Sequence, residues 1–419
     1  MAQTPATTNP KGASHTGAKA IVPVMFAFFV MGFVDLVGTA TNYVKPEFNL
    51  SDTQANLLTT MVFFWFLIFS VPTGVLMNRI GRRRTVLLSI LVTVGAMLLP
   101  VIAYTACASD GAKTARLVLI VIGFILLGIG NTLMQVSLNP LLALFVKGDQ
   151  LASTLTTGQF VKAFASLFAP FIASWASKQF GKWWLLFAIY LVVGIIGYVL
   201  LALDRIDESG VTSSTTTIAR CFKLLADPVI LLCFLGIVAH VGVDVGVNAQ
   251  APRILMEHTD IALETATNAT MVYFIARMIG CFTGGIALKK ISNKVGLRIC
   301  GVIMVLSAVC FAVFSSVQTN PPVALFWIAV ALVGFGNSNV FSLFLSQALI
   351  TEPERQNEVS GLMMMGLIGG AIFPPLMGAA TGGMGQIGAI LVMSIGCLYV
   401  FVVSLAYRVL ERPKAAKNA

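Results

Sequence analysis

Apolar runs of roughly twenty residues recur twelve times along this chain, centred near residues 31, 66, 95, 130, 163, 193, 241, 277, 306, 335, 368 and 397. A helix needs about 20 apolar residues to cross the hydrocarbon of a bilayer, and there the backbone must satisfy its own hydrogen bonds. Runs so long and so evenly apolar exclude the shorter, alternating strands of a membrane barrel. Only 11% of the residues are charged and 57% are hydrophobic, whereas soluble domains are about 25% charged. The expected fold class is an all-α polytopic membrane protein with twelve transmembrane helices embedded in a lipid bilayer.

Orientation follows from Lys and Arg, which accumulate in cytoplasmic loops. Placing both termini in the cytoplasm puts 19 of these residues in the tails and loops on that side, including Arg79, Arg82, Arg83 and Arg84, and six on the other. The expected location is therefore the cell's inner (cytoplasmic) membrane, with both termini inside. The net charge of +10 follows from this topology and implies no nucleic-acid partner. Residues 1–19 are polar and read as a disordered cytoplasmic tail, with a second short tail at 409–419. The seven cysteines include no CxxC pair, and the three histidines are scattered, so no metal site and no cofactor are expected. A phosphate-binding GxxxxGK[ST] loop is absent. No nucleophile stands at convincing spacing from a base, so the chain does not read as an enzyme.

The sequence repeats. TMVFF (60–64) recurs as TMVYF (270–274), LGIGNT (127–132) as VGFGNS (333–338), and GFVDLVGTATN (32–42) more loosely as VGVDVGVNAQ (241–250). Each offset is about half the chain. Two six-helix bundles follow, residues 20–203 and 227–408, joined by a polar cytoplasmic linker at 204–226. Parallel halves related by an axis along the membrane normal are a transporter architecture, with the substrate site near the bilayer midplane between them.

Local motifs sharpen this. GVLMNRIGRRR (74–84) resembles the loop signature GxxxDRxGRR of the major facilitator superfamily, with Asn78 in the usual acidic place, and PERQNEVSG (353–361) resembles the matching loop of the second half. NLSDTQANLL, MQVSLNPLLALF, TTGQFVKAFASLFAPFIA, TMVYFIARMIGCFTGG and GLMMMGLIGGAIFPPLMG resemble, in that order, the fucose, galactose and glucose proton symporter branch. The resemblance covers about residues 25–405. It implies import of a monosaccharide, a hexose or deoxyhexose, by proton symport with alternating access, in a protein that works as a monomer. Alternatives are a sodium-coupled or uncoupled sugar transporter, a drug or metabolite exporter, and a transporter-like sensor.

Charged residues within membrane helices are costly and mark functional sites. Four qualify: Asp35, Lys162, Asp244 and Arg277. In the branch resembled here an acid on the first helix takes the proton, and Asp35 matches it. Lys162 is the expected counter-cation, as a switch or as a static partner, and Arg277 is a candidate partner for Asp244. The coupling ion is a proton, with Na+ the alternative. On the fourth helix the position that is acidic in the fucose symporters is Gln135. Sugar hydroxyls call for neutral donors and acceptors, and the candidates are Gln159, Gln135, Asn139, Asn42, Asn248, Gln250 and Asn337, with Asp244 beside them and Phe64 as an apolar plate. Arg79, Gly81, Arg82 and Arg83 are expected to form a cytoplasmic gating loop.

Overall fold

The structure, a computed structural model, describes residues 14–146, 150–204, 206, 208, 217–261, 266, 268–317 and 319–411. The expected tail up to residue 13, residues 205, 207 and 209–216 of the linker, and residues 412–419 lie outside the described residues. The helices are α1 (Ser14–Met31), α2 (Leu36–Glu47), α3 (Asp52–Ile80), α4 (Arg82–Thr105), α5 (Lys113–Leu142), α6 (Gln150–Phe180), α7 (Leu185–Leu203), the short α8 (Ile218–Phe222), α9 (Pro228–His258), α10 (Asn268–Ala287), α11 (Asn293–Ser316), α12 (Val323–Asn337), α13 (Val340–Thr351), α14 (Gln356–Met365), α15 (Gly369–Met384) and α16 (Gln386–Leu405). Eleven helical stretches are long and apolar enough to cross a membrane. The 29-residue α3, with its apolar segment Phe64–Ile80, makes the twelfth crossing. No strand occurs among the described residues. α1 starts at Ser14, so the helix begins within the polar stretch that the composition assigned to the tail.

Three crossings are built from two helices each, and the breaks are local in origin. Between α1 and α2 the backbone tightens into a 3-10 turn over Gly32–Asp35, a device that often marks a functional hinge. A second 3-10 turn, Gly366–Ile368, separates α14 from α15 within the glycine-rich GLIGG stretch. α12 and α13 meet at Ser338 and Asn339. α3 starts cleanly because Ser51 and Gln54 form a reciprocal capping box, at 2.9 and 3.3 Å, which satisfies two otherwise orphan backbone donors. It ends at Gly81, whose φ of +89° only glycine adopts without strain.

The N-terminal group packs α4 against α5 and α7, and α3 against α5; in the C-terminal group α11 packs on α12 and α16, and α9 on α15 and α16. The groups meet through α3 and α5 against α14, and through α6 against α10 and α13. Glycine allows the closest approach. A Cβ on Gly74 would lie 2.7 Å from the Asn357 carbonyl oxygen, and one on Gly361 would lie 2.7 Å from that of Ser70.

Hydrogen bonds between the halves gather at this same end. Asn78 Nδ2 donates to Glu358 Oε1 at 3.1 Å and Asn357 Nδ2 to Asn78 Oδ1 at 2.7 Å. Buried Arg82 donates from Nε to Asn357 Oδ1 at 2.6 Å and from a terminal nitrogen to the Pro140 carbonyl at 2.7 Å. Ser360 reaches the Val136 carbonyl at 2.7 Å, and Ser153 that of Gly285 at 2.6 Å. At the far end the polar contacts of Glu47, with Tyr104 at 2.7 Å and Arg116 at 2.9 Å, stay within the first half. The halves are thus clasped at the Arg82 end.

Candidate functional site

Along α1 and α2, Val34, Leu36, Val37 and Ala40 are buried, while Asp35, Gly38 and Asn42 are exposed. Positions i, i+3 and i+7 share one helix face. A polar, exposed stripe on an otherwise packed membrane helix is the wall of a watered cleft, since lipid would leave these groups unsatisfied. On the adjoining α6, Gln159, Lys162 and Ser166 repeat the same spacing. The lipid-like face of α6 lies elsewhere, in the exposed apolar residues Leu167, Phe168, Phe171 and Trp175. The two helices touch at Gly32, where a Cβ would collide with the backbone oxygen of Lys162 and come within 2.7 Å of Ala165 Cβ.

Asp35 is held there by Ser166, whose hydroxyl donates to the carboxylate. Tyr190, stacked on Phe33 with ring centres 4.2 Å apart, donates to the Ala165 carbonyl and fixes α6 behind it at 2.5 Å. The expected ion pair between Asp35 and Lys162 is not formed. Lys162 is half-buried and has no hydrogen-bond or ion-pair partner among the described residues, because the Asp35 carboxylate turns to the serine one helical turn further on. Beside it, Gln159 Nε2 is buried without an acceptor.

The second half holds its acid differently. Arg277 donates to both oxygens of Asp244, at 2.7 and 2.5 Å, and the Tyr273 hydroxyl donates to the same carboxylate. The side chains of Arg277 and Asp244 are 25% and 15% exposed, so the pair sits at the edge of water. Behind it, Asn337 Nδ2 donates to Tyr273 Oη at 3.3 Å and to the His240 carbonyl at 3.0 Å, and Asn337 Oδ1 pairs with His240 Nδ1 at 2.8 Å. The anticipated Asp244–Arg277 contact is therefore present as one end of a five-residue network.

Not every amide proposed for ligand binding faces the cleft. Asn337 is fully buried with its amide committed to that network, so it joins helices and does not face a ligand. Gln250 is buried toward Phe311, Met377 and Met393 inside the second bundle, away from the other half. Asn139, also buried, donates to the Gln135 carbonyl one turn back at 2.6 Å and approaches Met364 at the clasped end. Phe64 is exposed on α3 in a row with Leu57, Leu67 and Ile68, which are also exposed. Gln135 is 6% exposed. Asn248 donates to the Asp244 carbonyl at 2.7 Å and keeps a buried Oδ1 without a partner. Asn42 is exposed on the Asp35 stripe.

At the clasped end the arginines divide. Arg82 bridges the halves, as above, and Arg83 donates to the Ala202 carbonyl at 2.8 Å, at the end of α7. Arg79 is exposed. Glu208 of the linker accepts from the backbone N–H groups of Arg82 and Arg83, at 2.8 and 2.7 Å, and so caps the N-terminus of α4, where an anion is favoured. Ser166 and Glu208 escaped the sequence reading. The first was signalled by sharing a face with Lys162, whereas nothing local marks a linker carboxylate as a cap.

Known proteins share this architecture. A glucose/galactose transporter from Brucella abortus biovar 1 (strain 9-941) is 25% identical over 409 residues, covering 92% of this chain and 94% of its own. The crystal structure of the transporter FucP in the outward conformation superposes with a TM-score of 0.75 at 16% identity, covering 93% of this chain and 99% of the other. That of the E. coli fucose:proton symporter FucP gives 0.74 at 17% identity, with the same coverage. The family model for the Major Facilitator Superfamily matches residues 24–366 and again 254–419, and the chain belongs to that superfamily of membrane transporters.

Proposed function

We propose that the protein imports a monosaccharide together with a proton by alternating access, with Asp35 as the group that takes the proton. The observation that carries this is Asp35 itself: an exposed carboxylate in a membrane helix, with a serine hydroxyl and, among the described residues, no cation in contact. Withdrawing water from a carboxylate favours its neutral form, and readmitting water favours ionisation. A group at the wall of a cleft that opens alternately to two sides meets both conditions in one cycle. Ser166 can stay bonded throughout, because a hydroxyl donates to a carboxylate and accepts from a carboxylic acid.

The excess of Lys and Arg assigns the clasped end to the cytoplasm. On this reading the halves are closed on the cytoplasmic side, and substrate and proton enter from the opposite side. Gln159, Asn248 and Asn42 supply hydrogen-bonding groups for hydroxyls, with Gln135 as a further candidate. Opening inward requires breaking Asn78–Glu358 and Arg82–Asn357 and separating the glycine contacts at Gly74 and Gly361. The names of the relatives, a glucose/galactose transporter and a fucose:proton symporter, support sugar as the substrate class.

The test is uptake of labelled hexoses and deoxyhexoses by proteoliposomes under an imposed proton or sodium gradient. Accumulation driven by protons supports the proposal. Accumulation driven only by sodium would replace the coupling ion, and flux of no sugar under either gradient would defeat it.

A further inference from the structure

The four charged side chains singled out within the membrane helices, Asp35, Lys162, Asp244 and Arg277, are not arranged as two pairs. In the second half Asp244 is saturated, with Arg277 on both oxygens at 2.7 and 2.5 Å and Tyr273 alongside. In the first half Asp35 accepts from Ser166, which leaves the Lys162 ammonium without a hydrogen-bond or ion-pair partner among the described residues. One turn before Lys162, on the same face, Gln159 Nε2 is buried and equally without an acceptor. A charged group in the membrane core persists only where water or a counter-charge meets it. Here an ammonium and an amide N–H lie about one helical turn apart on one face, and no acceptor for either occurs among the described residues. α5 adds no carboxylate, since Gln135 is an amide.

When Asp35 takes a proton, the Asp244–Arg277 pair still sums to zero and Lys162 leaves the cleft with one positive charge. We propose that the substrate is an acidic monosaccharide, a hexuronate or hexonate, whose carboxylate accepts hydrogen bonds from Lys162 Nζ and Gln159 Nε2. This rests on the sugar symport proposed above and narrows its substrate class. A charged donor facing a carboxylate makes the stronger kind of hydrogen bond, and an unmet buried donor discriminates strongly against an analogue lacking its partner. Charge balances in the loaded state: one proton on Asp35 and one substrate anion enter together. Transport is then electroneutral, whereas a proton with a neutral hexose carries one positive charge inward per turnover.

The test uses the full chain in proteoliposomes with an inward proton gradient, comparing labelled D-glucuronate, D-gluconate and D-glucose, with potassium and valinomycin setting the membrane potential. One of the acids should accumulate at least ten-fold above D-glucose, at a rate unchanged by an inside-negative potential. Lys162→Gln should lower that uptake at least ten-fold, and Lys162→Arg should restore part of it. Thermal unfolding of both variants separates loss of binding from loss of fold, and Lys162→Arg carries the test if Lys162→Gln does not fold. If D-glucose accumulates faster at inside-negative potential and neither acid competes, the acidic substrate is refuted while sugar symport stands. If none of the three moves, the sugar assignment falls with it.

Discussion

Replacing Arg277 with methionine keeps most of the side-chain volume and strands the Asp244 carboxylate. In the wild type that carboxylate receives Arg277 on both oxygens and a hydroxyl from Tyr273; in Arg277→Met only the tyrosine remains. Removing one partner of a fully buried ion pair costs about 3–5 kcal/mol. The side chains here are 15% and 25% exposed, so water screens part of the loss and about 2–3 kcal/mol is expected. At about 2–4 °C per kcal/mol for a unit the size of one half, the apparent unfolding temperature should fall by about 5–10 °C. The assay is intrinsic fluorescence of the detergent-solubilised protein at a fixed scan rate, since such unfolding is commonly irreversible. Adding Asp244→Asn removes the stranded charge and should recover at least half of the drop, the signature of a coupled pair. An Arg277→Met variant that melts with the wild type, or a double variant whose loss is the sum of the singles, would refute this account.

Other parts of the structure yield their own expectations. Gly74→Ala or Gly361→Ala places a Cβ 2.7 Å from a carbonyl oxygen of the opposite half, which should shift the population toward opening at the Arg82 end. Spin-label distances across that end should lengthen, and unchanged distances would show that the glycines do not set the equilibrium. Glu208→Ala removes the acceptor for two backbone donors at the start of α4 and should cost about 1 kcal/mol. That is a fall of about 2–4 °C in the same melting assay, which Glu208→Gln should partly restore.

The fold was written in the chain to an unusual degree because the bilayer imposes one rule on every crossing: about twenty apolar residues in a helix. The duplicated motifs led to the expectation of two halves, and the charge among apolar residues at position 35 to the proposed coupling site. Side-chain geometry was less legible. Spacing shows that Gln159 and Lys162 share a face, but whether Asp35 turns to the lysine or to Ser166 depends on how α1 settles against α6 at Gly32, a contact between distant segments. Asn337 looks like a ligand amide in sequence and is an interhelical tie in space, because a polar group in a membrane helix serves either role. Gln250 was misplaced for a similar reason: sequence says that a helix has a polar residue, not which neighbour it meets. The arginines after α3 could be read as a gate, whereas their partners Asn357 and Glu208 come from remote parts of the chain.

Substrate-evoked proton movement tests the central claim most directly. Proteoliposomes loaded with a pH-sensitive dye and given no initial gradient should acidify inside when the transported sugar is added outside. With Asp35→Asn the acidification should disappear while exchange of labelled for unlabelled sugar continues. Acidification that survives Asp35→Asn would place the proton on another group and contradict the role assigned to Asp35.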